Sequence, residues 1–177
     1  MKYFGTDGFR GRANESPTAI HAFRVGRFLG RHFARGGRAR IAVGKDTRLS
    51  SYAFEYALAA GAAASGADVY LLHVTTTPSV SYVVRTEGFD CGVMISASHN
   101  PFSDNGIKLF GSDGEKLPES TLALVEEYLD GGTLPLATGA DIGRTVDYVA
   151  GRNRYLACLL SLPRASFRGL RVGLDCV

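Results

Sequence analysis

At 177 residues the chain suits one domain with a short extension, and its 45% hydrophobic content is enough for a core, which excludes a disordered chain. Twenty Lys and Arg against 17 Asp and Glu leave a formal charge of +3, too mild to argue for nucleic acid, and no basic stripe interleaves with aromatics. No apolar run at the N-terminus has signal-peptide length and no stretch approaches the ~18 uninterrupted apolar residues of a membrane span, so a cytoplasmic protein is expected, with Cys91, Cys158 and Cys176 as buried free thiols ahead of disulfides or metal ligands.

Residues 1–4 suit a short strand, and Gly5-Thr6-Asp7-Gly8 reads as a glycine-rich loop continued by Phe9-Arg10-Gly11-Arg12. Glycine lets backbone amides approach an anion, and Arg10 can make a bidentate phosphate contact. A surface hairpin with an ordinary arginine fits the same residues. Ser16 and Pro17 mark a helix start, and Ala22, Val25, Leu29 and Phe33 recur at helical spacing. Arg24, Arg27 and Arg31 fall off that stripe and read as a solvated face; Gly36-Gly37 ends the helix.

Arg40-Ile41-Ala42-Val43-Gly44 reads as a central strand, followed at its carboxyl end by Lys45-Asp46-Thr47-Arg48. Ser50 or Ser51 can cap an alanine-rich helix running from Ala53 to about Ala64 and stopped by Gly66. Asp68-Val69-Tyr70-Leu71-Leu72 is the next strand, and isolated His73 beside it reads as structural. Thr77 caps a short helix through Tyr82 to Arg85. After Phe110, Gly111-Ser112-Asp113-Gly114 is a turn that can open a hairpin, and Leu117-Pro118-Glu119 starts a helix with Leu122, Val125 and Leu129 on one face. Residues 131–146 look like a linker, 148–162 like a helix and 171–177 like a strand. The alternation predicts an α/β fold with a mixed, largely parallel sheet and helices on both faces. Residues 1–146 are expected to form its domain, and residues 147–177 a linker helix and the first strand of a second domain.

The chemistry concentrates at Ser96-Ala97-Ser98-His99-Asn100-Pro101. This stretch follows a short apolar run, Cys91-Gly92-Val93-Met94-Ile95, that reads as a buried strand, and precedes Phe102-Ser103-Asp104-Asn105-Gly106, which reads as a turn. In an α/β sheet, ligands bind at the carboxyl ends of the strands. A hydroxyl nucleophile, an imidazole and, at Lys108, an ammonium suit phosphoryl transfer, which needs a phosphate carrier and cations to neutralise it. The same residues are also good turn chemistry.

Ile95-Ser-Ala-Ser-His-Asn-Pro-Phe-Ser-Asp-Asn-Gly-Ile-Lys108 resembles the phosphoserine loop of the α-D-phosphohexomutases, and within them the bacterial phosphoglucosamine mutases. Phe4-Gly5-Thr6-Asp7-Gly8-Phe9-Arg10-Gly11 is similar to the N-terminal signature of that group, and Val43-Gly44-Lys45-Asp46-Thr47-Arg48 to a third motif.

The resemblance implies an isomerase that interconverts glucosamine 6-phosphate and glucosamine 1-phosphate for amino-sugar nucleotide and cell-wall precursor synthesis. The enzyme phosphate passes to the substrate, a bisphosphate intermediate reorients, and the other phosphate returns to the serine. Ser98 matches the phosphorylated position and Ser96 its companion. Lys108 matches the family's proposed acid/base, with Arg10 and His99 in the same site; Lys45 and Arg48 are expected as supporting positive charge or structure. The implied cofactor is Mg²⁺, held in part by the Ser98 phosphate and otherwise by an Asp-Gly-Asp-type loop that these 177 residues lack. The implied partner is a hexosamine phosphate, with no nucleic acid or membrane. Sister activities toward mannose and glucose phosphates, and a non-catalytic sugar-phosphate-binding module, remain as alternatives.

Overall fold

The computed structural model describes residues 1–175. The elements run β1 (Phe9–Arg12), α1 (Ala19–His32), β2 (Arg40–Lys45), α2 (Leu49–Ala63), β3 (Asp68–Val74), α3 (Thr77–Thr86), β4 (Cys91–Ile95), β5 (Asp104–Gly111), α4 (Glu119–Leu129), β6 (Thr145–Asp147) and α5 (Val149–Ser161). The strands form one sheet in the order β1-β5-β4-β2-β3-β6. Pairings from β4 through β6 are parallel, and β5 runs antiparallel to both β4 and β1. The sheet is thus mixed and largely parallel, as expected. Its antiparallel part comes from β5, whereas the turn at Asp113-Gly114 adds a single bridge, Phe110 to Lys116.

Alternate side chains of the central strands feed two cores. Ile41, Val43, Val93 and Ile95 pack with Val25 and Leu29 of α1, Leu58 of α2 and Leu122 of α4. Ala42, Leu72 and Met94 face the other way, against Val80, Val83 and Val84 of α3. Helices therefore cover both faces. α1 and α2 cross backbone to backbone: a Cβ on Gly61 would lie 2.0 Å from Phe23 O, and one on Gly26 2.1 Å from Leu58 O.

Several local expectations change. Residues 1–4 form no strand, because a carboxylate satisfies their amides: Lys2, Tyr3 and Phe4 N–H each donate to Glu126 at 2.8 Å. α1 starts at Ala19, capped by Thr18 and not Ser16. Thr18 Oγ1 accepts from His21 N, and His21 Nδ1 accepts from Thr18 N, closing a reciprocal cap. α1 ends at His32, before the glycine pair, and α3 is entered from Thr76 without a side-chain cap bond. Arg24 and Arg27 are not a solvated face: Arg24 donates to Tyr128 O and Gly132 O, and Arg27 to Leu134 O and Pro135 O. The segment expected as a linker is thereby strapped along the domain, and its end becomes edge strand β6, paired with β3.

Residues 171–175 are not a strand; Cys176 and Val177 of that expected strand lie outside the described residues. Cys91 is a buried free thiol and Cys158 a half-buried one. Among the described residues no helix is long and apolar enough to cross a membrane.

Candidate active site

β2 and β4 are parallel neighbours with Lys45 opposite Ile95, so the loops leaving their carboxyl ends start side by side. Asp46 N–H donates to Ile95 O at 3.0 Å. This is the end of a parallel sheet at which ligands bind. The serine loop leaves fully buried β4; Ser96 and Ala97 are still buried, and Ser98 and His99 are exposed. Asp104, Asn105 and Gly106, expected in a turn, already belong to β5.

Ser98 has φ 55°, in the left-handed region. That conformation costs a non-glycine residue about 1–3 kcal/mol and persists only where neighbours over-determine it. Here Ser98 N–H donates to Ser96 Oγ at 3.0 Å, Asn100 N–H to Ala97 O at 3.1 Å, and Asn100 Nδ2 to Asp104 Oδ2 at 2.9 Å. Arg48 reaches the same loop from β2's end and donates to Ser98 O and Asn100 O, each at 2.8 Å. Beneath it, buried Asn105 donates to Ser50 Oγ and Ser51 Oγ at 2.8 and 3.0 Å and accepts from Gly106 N–H at 2.8 Å. The two serines expected as caps of α2 therefore serve this network. Asp46, Thr47, Arg48, Ser96, Ser98 and Phe102 line one open cleft.

Gly106 joins three strands closely. Ser96 N–H donates to Gly106 O at 2.9 Å, and Gly106 lies opposite Arg10 across the β1–β5 pair. A Cβ there would meet Ser96 O at 2.7 Å and Arg10 Cγ at 2.8 Å. From Ser96 to Arg10 is thus two strand spacings, about 10 Å.

Arg10 and Lys108 converge on Asp7. Arg10 pairs with the Asp7 carboxylate, and Lys108 Nζ lies 3.1 Å from Asp7 Oδ2. The Lys108 side chain is 14% exposed. Desolvation, and after it the Arg10 guanidinium, hold its ammonium below the ordinary lysine value. Lys108 lines a second cleft with Phe4, Asp7, Gly8, Thr77 and Lys116. Arg10 and Lys108 are therefore brought together, and Ser98 sits with Arg48 in a separate cleft. His99 is exposed beside Ser98 and makes no hydrogen bond among the described residues. Lys45 is buried against Glu55, 4.3 Å from the Tyr52 ring centroid. Asp7 and Asp46 were not singled out by sequence; their one local signal was proximity to an arginine, at Asp7/Arg10 and Asp46/Arg48.

Residues 1–134 match the family model described as phosphoglucomutase/phosphomannomutase, alpha/beta/alpha domain I. The chain is 65% identical over 179 residues to a phosphoglucosamine mutase of Lachnospira eligens, covering 98% of this chain and 40% of that protein. It is 62% identical over 176 residues to one of Lachnoclostridium phytofermentans, covering 98% and 39%. The X-ray structure of a phosphoglucomutase/phosphomannomutase family protein from Burkholderia thailandensis matches with a TM-score of 0.72 at 25% identity, over 90% of this chain and 35% of that one. The chain thus spans about 40% of the length of these curated relatives. Sheet order, serine loop and family match agree, and the chain belongs to the phosphoglucomutase/phosphomannomutase family, of which it carries the alpha/beta/alpha domain I.

Proposed function

We propose that these residues are the serine-bearing part of a phosphoglucosamine mutase that interconverts glucosamine 6-phosphate and glucosamine 1-phosphate through a phosphate on Ser98. The observation that carries this reading is Ser98 itself: exposed, in a left-handed turn, at the carboxyl end of a buried parallel strand. The 65% identity to a protein named phosphoglucosamine mutase supports glucosamine phosphates over the sister sugars.

In the transfer step the bond between phosphorus and Ser98 Oγ breaks, and a bond from phosphorus to a sugar hydroxyl oxygen forms. The hydroxyl proton leaves as Ser98 Oγ, the leaving group, takes one up; in the return step Ser98 Oγ gives up its proton as it attacks the second phosphate, and the sugar oxygen set free takes one up. Lys108, already held below its ordinary value, suits that proton traffic. Arg10 neutralises phosphate charge, and His99 stands beside the carrier. A Mg²⁺ ion held in part by the Ser98 phosphate would polarise the phosphoryl oxygens. The described residues do not make that site alone: no three His, Cys, Asp or Glu side chains converge. The nearest carboxylates are committed, Asp46 to Arg48 and Ser51, and Asp104 to Asn100. Among the described residues, Ser98 through its phosphate would be the ligand offered to the metal.

The 177 residues by themselves are therefore expected not to turn over. The test is peptide mass mapping of residues 91–108 together with a mutase assay, on this chain and on a protein of its relatives' length. Phosphate on Ser98, lost with the activity in Ser98→Ala, supports the reading. Activity that survives Ser98→Ala overturns it, activity in the 177 residues alone overturns the expectation of inactivity, and preferred turnover of mannose or glucose phosphates moves the enzyme to its sister activity.

A further inference from the structure

Arg48 carries a charge in the Ser98 cleft that phosphate chemistry leaves unused. A guanidinium has five N–H donors in a rigid fork, and here every one has a partner. Nε donates to Asp46 Oδ2 at 2.9 Å, Nη2 to Ser98 O and Asn100 O at 2.8 Å each, and Nη1 to Asp104 O at 3.1 Å and to Pro101 O. Four of the five bonds land on carbonyls, three in the serine loop and one on Asp104, the first residue of β5. The side chain is 10% exposed, and Asp46 is steadied in turn by Ser51 Oγ at 2.6 Å and Arg48 N–H at 3.1 Å. A guanidinium with no free N–H cannot also clasp a phosphate, so its part is geometric. It gathers the loop's carbonyls onto one side chain, while Ser98 stays exposed.

We infer that Arg48 is a positioning residue for phosphoryl transfer: its fork, aimed by Asp46, locks residues 98–104 so that Ser98 keeps its left-handed turn and offers Oγ to the incoming sugar phosphate. This rests on the reading of Ser98 as the phosphate carrier. Lysine cannot replace the fork, having three donors on a compact, mobile head.

The experiment compares wild type, Arg48→Lys, Arg48→Gln and Asp46→Asn in the protein of its relatives' length. It measures kcat and KM for glucosamine 6-phosphate, Ser98 phosphate by intact mass, and hydrogen exchange of the 98–104 amides. Both Arg48 variants should lose kcat by on the order of 100-fold, the cost of displacing a reacting group by about 1 Å, with KM little changed. Asp46→Asn should fall between them and wild type. Exchange should quicken across 98–104 and stay unchanged in β2 and β4. Wild-type kcat in Arg48→Lys overturns the inference, because charge then suffices. Exchange that quickens throughout the domain, with kcat falling only as the folded fraction falls, overturns it too, leaving a general stabilising residue. If wild type carries no phosphate on Ser98, the mutase reading fails and exchange alone decides: a loosened loop upholds the fork, and an unchanged one ends it.

Discussion

Lys108 shows how three side chains from two strands and a loop make one electrostatic unit. Its ammonium is displaced downward first by burial and then by Arg10, which lies one strand over. Between that lowered value and the ordinary lysine value the unfolded chain holds the proton and the folded chain releases it. Stability contributed by this group therefore rises with pH across that window. Replacing Arg10 by Gln removes a repelling cation and frees Asp7 for Lys108, so the Lys108 midpoint should move up toward the ordinary value. Titration of its Nζ resonance by NMR checks this, and a midpoint that stays or falls would mean that desolvation alone sets it. At the same scale, Lys45 illustrates what sequence conceals. It could be supporting charge or structure by sequence; its side chain is 2% exposed and paired with Glu55, which is the structural use.

Among elements, the α1–α2 pair depends on two glycines more than on hydrophobic pattern. Gly61→Ala would put a methyl 2.0 Å from Phe23 O, a backbone atom that moves only with its helix. Overpacking of that kind costs about 1–3 kcal/mol, and the better helix propensity of alanine returns about 1 kcal/mol of it. A net loss of up to about 2 kcal/mol is expected from those two terms, read as a lower urea midpoint at unchanged slope. Gly37→Ala, where a Cβ meets nothing within 4 Å, is the control and should stay within about 0.5 kcal/mol. Equal effects at both positions would remove the steric argument. The stripe Ala22, Val25, Leu29 was readable because burial repeats with the helical period. The use of Arg24 and Arg27 was not, because their acceptors are carbonyls more than 100 residues later.

Across the whole molecule, the ends of the domain are tied by charge. Glu126 on α4 holds the amides of Lys2, Tyr3 and Phe4. Burial pushes its carboxyl up, but the amides of Phe4, Lys2 and Tyr3 outweigh that and it titrates below the ordinary glutamate value. Its stabilisation is complete above the ordinary value and is lost as pH falls through the lower folded one. Glu126→Gln offers a single acceptor oxygen and should cost about 1–3 kcal/mol at neutral pH. That gap should close in acid, where wild type protonates as well. Urea midpoints across the acid range test this, and a constant gap would rule the carboxylate out. His21, lowered by burial and then by Arg24 and Lys2, adds an earlier loss. The unfolded chain binds its proton first, so stability declines as pH drops through the ordinary imidazole range.

Sequence by itself determined the alternating elements, the two-sided sheet and the placement of Ser98 at a strand's end. Periodicity and turn residues are local records of which side chains are buried and where the chain reverses. Tertiary structure alone decided which strands are neighbours. The β4–β2 pairing set Arg48 onto carbonyls 50 and more residues away, and the β1–β5 pairing set Arg10 beside Lys108. An arginine on a loop reads the same whether water or a distant carbonyl takes its hydrogens, because a side chain's composition does not name its partner. Only the order of strands in the sheet supplies it.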